Sequence, residues 1–272
     1  PTPRLRTGDN PVDPMTREPE RAMNRRNERR MDDTKHGGKL RRLFVVCVLA
    51  CGAHGAAFAQ TQDAKAVLKS MTQYVSSQRS VELTFDSDIE IITPQLEKIQ
   101  FTNSGDVLLV RPDKLRTHRV GGYSDVTLFY DGKSANIYSK GANAYAPLAS
   151  AGSVDQLLVA LRSGQGSAMP GADLLLTNAY DVLIADVMEA KYMGRGIVDG
   201  VECEHLAFRN FDTDWQLWVE VGARPIPRKM VITSKTMSSA PQYTIRIKSW
   251  KVPKQPARDA FTFVPSAGMT QM

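Results

Sequence analysis

The chain has 272 residues, 35 lysines and arginines against 29 acids for a formal net charge of +6, and 42% hydrophobic residues. The cationic excess belongs to the N-terminal end: residues 1–59 hold 12 of the basic and 7 of the acidic side chains, leaving 23 cations against 22 anions over the remainder. Bulk charge therefore gives the main body no electrostatic footprint for nucleic acid.

Residues 1–38 are rich in Arg, Asp, Glu, Asn and Pro with almost no apolar side chains, so they cannot bury enough surface to offset chain entropy. They read as a disordered or non-native extension. Residues 39–59, "KLRRLFVVCVLACGAHGAAFA", pass from cations through a short apolar run, Leu43 to Ala50, to small residues ending Ala57-Phe58-Ala59. That order marks a cleavable secretory signal, and the apolar run is too short to span a bilayer. The expected product is a periplasmic protein starting at Gln60. The alternative is "VLAC" as a lipobox, with the chain anchored through an acylated Cys51.

Residues 60–272 form one expected domain. "DAKAVLKSMTQYVSS" sets Val67, Leu68, Met71 and Val75 at helical spacing, with Asp63 available as a cap. From Ser80 the period changes to two in "VELTFDSDIEI". Strand-like runs continue through "KIQFTN", "DVLLVR", "KLRTHRV", "DVTLFY", "SANIYS", "KYMGRGIV", "VECEHLAFR", "DWQLWVEV", "PRKMVITSK", "YTIRIKSW" and "FTFV". Turn signals separate them, "NSGD", "YDGK", "VDG", "VGARP" and "SSAPQ" among them. Two more segments, "SVDQLLVALRS" and "AYDVLIADVME", read as helices. Many closely spaced strands with few helices predict an α+β fold: a large, strongly curved antiparallel sheet, a half-open β-barrel, with about three helices covering its concave face.

Catalytic constellations are not found. Beyond the leader only His118 and His205 remain, without metal-ligand spacing to another His or Cys, and there is no G-x-S-x-G or phosphate loop. Strand alternation puts Cys203 and His205 on one face, the arrangement a hydrolase would need, but Val201 and Ala207 share it and a packing role is the expectation. A non-catalytic protein without cofactor follows. The remaining signal is apolar strand faces, such as Trp215, Leu217, Val219 and Val221 in "DWQLWVEV". A curved sheet with such a face, covered by loosely held helices, can accept an acyl chain.

"SVELTF" after an amphipathic helix, "GDVLLVRPDKLR", "DGKSANIYSKGANAYA" and "FTFVPSAGM" occur in an order that resembles the periplasmic carriers of outer-membrane lipoproteins, the LolA and LolB type. The second half, "VDGVECEHLAFRNFDTDWQLWVEVGARPIPRKMVITSK", is similar to an uncharacterised secreted family, the domain of unknown function numbered 2092. The resemblance implies a half-open barrel with a helical lid over an apolar cavity, and an Arg-Pro pair at a strand end whose arginine points toward the lid. Arg111 and Pro112 match that pair. Pro112 ends ladder donation, and alternation puts Arg111 on the face of Val107 and Leu109. There it either ties sheet to lid or snorkels to the cavity rim. Leu83, Phe85, Val107, Leu109, Trp215 and Leu217 are the candidate lining. The implied ligand is a lipid or the acyl chain of a lipoprotein, and the alternative is an envelope-protein partner docked by a sensing module of the same fold. One departure stands out: Ala135-Asn136-Ile137 lacks the tryptophan of the carriers' pattern.

Intact-mass measurement on the periplasmic fraction is expected to give a chain starting at Gln60; a diacylated species starting at Cys51 would establish the anchored form instead.

Overall fold

The computed structural model describes residues 63–148, 152–163 and 170–272. The expected extension 1–38, the signal 39–59 and Cys51 lie outside the described residues. Helix α1 (Ala64–Ser77) starts where Asp63 Oδ1 accepts from the Lys65 amide at 3.0 Å, and it buries Val67, Leu68, Met71 and Val75 along one stripe. The chain then turns through Gln78 into β1 (Ser80–Ile92), which pairs along its full length with β2 (Lys98–Val110).

A meander continues through β3 (Lys114–Gly121), β4 (Ser124–Tyr130), β5 (Ala135–Ser139) and β6 (Ala144–Leu148). Next come α2 (Val154–Ser163), a 3-10 turn (Ala172–Leu175) and α3 (Ala179–Ile184). A second meander runs through β7 (Glu189–Val198), β8 (Val201–Arg209), β9 (Thr213–Glu220), β10 (Pro227–Ser234) and β11 (Gln242–Lys251). A 3-10 turn (Arg258–Phe261) and a two-residue β12 (Thr270–Gln271) follow.

All twelve strands belong to one sheet in the order β12-β6-β5-β4-β3-β2-β1-β11-β10-β9-β8-β7. The two meanders are joined where β1 pairs antiparallel with β11, and among the described residues only β12 on β6 is parallel. The sheet is open, with β12 and β7 as its edges, so it is not a closed barrel. Residues from β1 to β5, β10 and β11 nevertheless face a single cavity. Strands that far apart in the order can share one space only if the sheet coils around it. The predicted α+β class, with a curved antiparallel sheet and three helices, is the observed architecture.

Three local readings change. "NSGD" is not a turn: Asn103 to Asp106 stay in β2, with Gly105 opposite both Phe85 and Arg119. Glycine stands there because of close approach, since a Cβ would lie 2.5 Å from Phe85 Cζ and 2.4 Å from the His118 carbonyl oxygen. The Phe85 ring therefore lies against a bare backbone and bridges what looked like two separate strands. "FTFV" is not a strand. Phe261 closes a 3-10 turn and is buried, while Phe263 packs on Phe129, Tyr138 and Tyr145 with ring centroids 5.2 to 5.8 Å apart. These aromatics are held by packing on the outer face of the sheet and need no ladder. Finally, α3 covers only the first half of "AYDVLIADVME": the Val187 amide bonds back to Ile184 and the Met188 amide is captured by the Arg209 carbonyl at 2.8 Å, which draws the chain into the sheet.

Gly105→Ala is expected to lose about 1–3 kcal/mol through overpacking against Phe85 and the β3 backbone, read as a lower urea midpoint at unchanged slope.

Candidate functional site

The site follows from register. Leu83, Val107, Thr117 and Leu128 are successive cross-strand partners over β1 to β4, and Phe85 lies one inward position further along β1. From β11, Trp250 pairs with Leu83, Ile247 with Phe85 and Ile245 with Ser87. Opposite this wall stand Leu158 and Leu161 of α2 and Leu174 and Leu175 of the first 3-10 turn. Between wall and cover lies a cavity of about 230 Å³. Interiors of well-packed domains hold few voids larger than a water molecule, so this one stands outside ordinary packing.

Of the six predicted lining residues, Leu83, Phe85 and Val107 line the cavity. Leu109, Trp215 and Leu217 are buried in the contiguous core outside it. Trp215 stacks on Phe208 with centroids 3.9 Å apart and its indole N–H donates to Asn210 Oδ1 at 3.2 Å, in the region α1 covers. The lining the sequence reading missed comes from β3, β4, β5, β11 and the cover, with Leu128, Ile137, Ile247, Leu158 and Leu174 among it. The leucine runs "QLLVAL" and "ADLLL" carried that signal, but periodicity does not say what a helix faces.

Arg111 sits where the cover meets the sheet. Its amide donates to the Arg79 carbonyl at 2.8 Å, its Nε donates to the Gln78 carbonyl at 3.2 Å and its Nη2 donates to the Leu175 carbonyl at 2.7 Å. Nη1 lies 3.9 Å from Asp155 Oδ1 in α2. One side chain, 10% exposed, thus joins the end of α1, the 3-10 turn and α2 to the end of β2. The next residue adds another tie, since the Pro112 carbonyl accepts from the Val154 amide at 2.8 Å. Burial lowers the guanidinium from its ordinary value, and Asp155 opposes that shift. An arginine stays charged through such a change, and three carbonyl or carboxylate acceptors explain how the charge is carried in a half-buried place. Within the cover, Asp155 accepts from the Thr177 hydroxyl and Arg162 pairs with Asp173.

The other polar candidates lie elsewhere. His118 is on the outer face between Asp125 (Nε2 to Oδ1, 2.9 Å) and Asp106 (Nδ1 to Oδ1, 3.5 Å). Cys203 is fully buried and its Sγ is 3.4 Å from the Val201 carbonyl oxygen. His205 stacks on Trp218 at 4.1 Å and its Nε2 is 2.9 Å from Gln216 Oε1. Lys229 lies over the same indole, 4.6 Å from the ring centroid. Burial pushes the Cys203 thiol up to about 11. Among the described residues no group of three or more His, Cys, Asp or Glu is arranged to hold a metal ion. Three buried polar atoms on the concave face, Ser87 Oγ, Tyr130 Oη and Trp250 Nε1, have no hydrogen-bond partner of good geometry.

Residues 64–272 match the family described as predicted periplasmic protein (DUF2092). The chain belongs to that family. This assigns the protein to the periplasm. Among solved structures it is similar to an uncharacterized conserved protein from Thermus thermophilus, at 9% identity over 78% of this chain and 99% of that one, with a TM-score of 0.46. It is also similar to the lipoprotein LppX of Mycobacterium tuberculosis, at 13% identity over 70% and 96%, TM-score 0.45. A LolA superfamily protein from Nitrosomonas europaea matches at 11% identity over 74% and 98%, TM-score 0.31. No curated protein sequence matches.

Two outcomes follow from this geometry. Arg111→Ala, which leaves the Gln78 and Leu175 carbonyls without their donor, is expected to cost about 1–3 kcal/mol in urea unfolding. Arg111→Lys recovers little of that, because one ammonium cannot span both carbonyls as the guanidinium fork does. For Cys203, a folded thiol held above its ordinary 9.0 contributes stability that is fully present below pH 9 and is lost as pH rises through about 11. At pH 8 a thiol reagent is expected to leave the Cys203 peptide unmodified until the protein is unfolded; rapid native labelling would contradict the burial.

Proposed function

We propose that this protein is a periplasmic binder or carrier of a lipid or acyl chain, the chain lying in the cavity between the concave sheet and the segment from α2 to the 3-10 turn, and that it acts without catalysis. The observation that carries this reading is the cavity itself. About 230 Å³ beside a largely apolar wall is left unfilled by the protein's own side chains, which forgo packing contacts there. An acyl chain returns that loss at about 0.8 kcal/mol per buried methylene and needs no directional partner. The volume lies just below the ~300–1,000 Å³ of ordinary small-molecule pockets, which favours a single slim chain.

Arg111 fits this role as a fastener. A ligand that enters beneath the cover must displace or pass α2 and the 3-10 turn, and those are the segments Arg111 holds. A second reading, docking of an envelope protein, draws on the apolar tip of the β1–β2 hairpin, where Ile91, Leu96 and Ile99 are exposed.

Native mass spectrometry of protein recovered from a Gram-negative periplasm is expected to show a retained lipid, with Arg111→Ala changing how much is kept. Consistently empty protein that neither binds a lipophilic dye nor releases it to acylated peptide would remove the carrier reading and leave the docking one.

A further inference from the structure

The cavity is lined mostly by apolar side chains, and its polar lining includes a cation, Arg119, and a phenol, Tyr243. Arg119 lines the cavity and is itself exposed, which puts it at the opening. It stands on β3 directly opposite Gly105, so no side chain intervenes at the neighbouring position. Among the described residues it has no carboxylate partner. By contrast Arg111, at the end of β2, and Arg195, on the edge strand β7, each face a carboxylate.

Tyr243, a further lining residue, lies close enough to Arg119 for the cation to favour its ionised form, against a larger upward push from burial. Ser87 acts on the same phenol and is 1% exposed, with no hydrogen-bond partner of good geometry for its Oγ. The anion that acts on the same phenol is Asp88, but it points to the outer face, where Arg246 Nη1 holds it at 3.2 Å and the Thr102 hydroxyl donates to it at 2.7 Å. Arg119 and Tyr243 therefore give the apolar slot a polar part, with Ser87 beside the phenol, and no carboxylate among the described residues neutralises the cation.

We propose that the slot takes an acyl chain bearing an anionic head, a carboxylate or a phosphate, with the tail against Phe85, Leu128 and Leu158 and the head on Arg119, supported by the Tyr243 hydroxyl. The inference rests on the lipid-binding reading of the cavity and adds the head-group class to it. The apolar wall distinguishes chains only weakly, whereas a planar guanidinium offers paired donors that match carboxylate and phosphate oxygens and gain strength beside a low-dielectric wall. A neutral acyl ester brings only a carbonyl acceptor there, without the charge that strengthens the bond.

The test uses the full chain and displacement of a lipophilic dye by three probes that share one tail: laurate, lauryl phosphate and lauryl alcohol. At least one anion is expected to bind about tenfold tighter than the alcohol, with the margin shrinking as salt is raised. Which anion wins identifies the source of the charge. Arg119→Gln, at an exposed position where folding is tolerated, is expected to abolish the margin by bringing the anions down to the alcohol's affinity; Tyr243→Phe should reduce it partly. Equal affinity for all three probes, or a margin that survives Arg119→Gln, would overturn the head-group assignment and leave the cavity reading standing. Failure of all three probes to displace dye would overturn both.

Discussion

Two long sheet segments and a separate cover have to be held in one arrangement, and the place where they meet is the end of β2. There Arg111 gives its amide to the start of β1, its Nε to the end of α1 and its Nη2 to the 3-10 turn, and it faces Asp155 of α2. Each bond alone is ordinary. What matters is that one rigid fork fixes three segments that have no ladder between them, so none can move without leaving a carbonyl unpaired in a half-buried site. Pro112 adds to the constraint: it offers no amide to β3, and its carbonyl instead receives the first amide of α2.

The cavity is a consequence of that arrangement. Helix α1 packs down on β7, β8 and β9, where Leu206, Leu217 and Trp215 make a close-packed core with it. Over β1 to β5 the cover is thinner, a ten-residue helix and one 3-10 turn, and its leucines do not fill the space above Phe85 and Leu128. The same concave face is thus solid at one end and hollow at the other. The Phe85 ring on Gly105 flattens the floor of the hollow part, since a side chain at that position would collide with it.

Polar chemistry is distributed with the same asymmetry. The outer face carries the Asp106–His118–Asp125 group and the His205–Trp218–Lys229 stack, each internally satisfied by its neighbours. The inner face has few polar groups, and those at the cavity include Thr117, Arg119 and Tyr243. Cys203 and His205, adjacent on a strand face in the sequence, part in environment: the thiol is sealed in a raised-pKa pocket and the imidazole is stacked against an indole.

The sequence alone determined the period-two and helical segments, and from their order the open antiparallel sheet with helices on one face, because alternation of apolar and polar residues is local and a buried face must be covered. It also located Arg111-Pro112, since an arginine on an apolar strand face before a proline has few ways to be satisfied. It did not separate cavity from core. Leu83, Phe85 and Val107 read the same as Leu109, Trp215 and Leu217, all inward apolar positions, yet only the first three border the open space. That distinction depends on how far the cover sits above each strand, a quantity fixed by contacts between residues far apart in the chain, such as Arg111 with Leu175. The same long-range geometry decided that "NSGD" stays in a strand, because the ring that excludes a side chain at Gly105 comes from Phe85 on the neighbouring strand, and no local pattern records it.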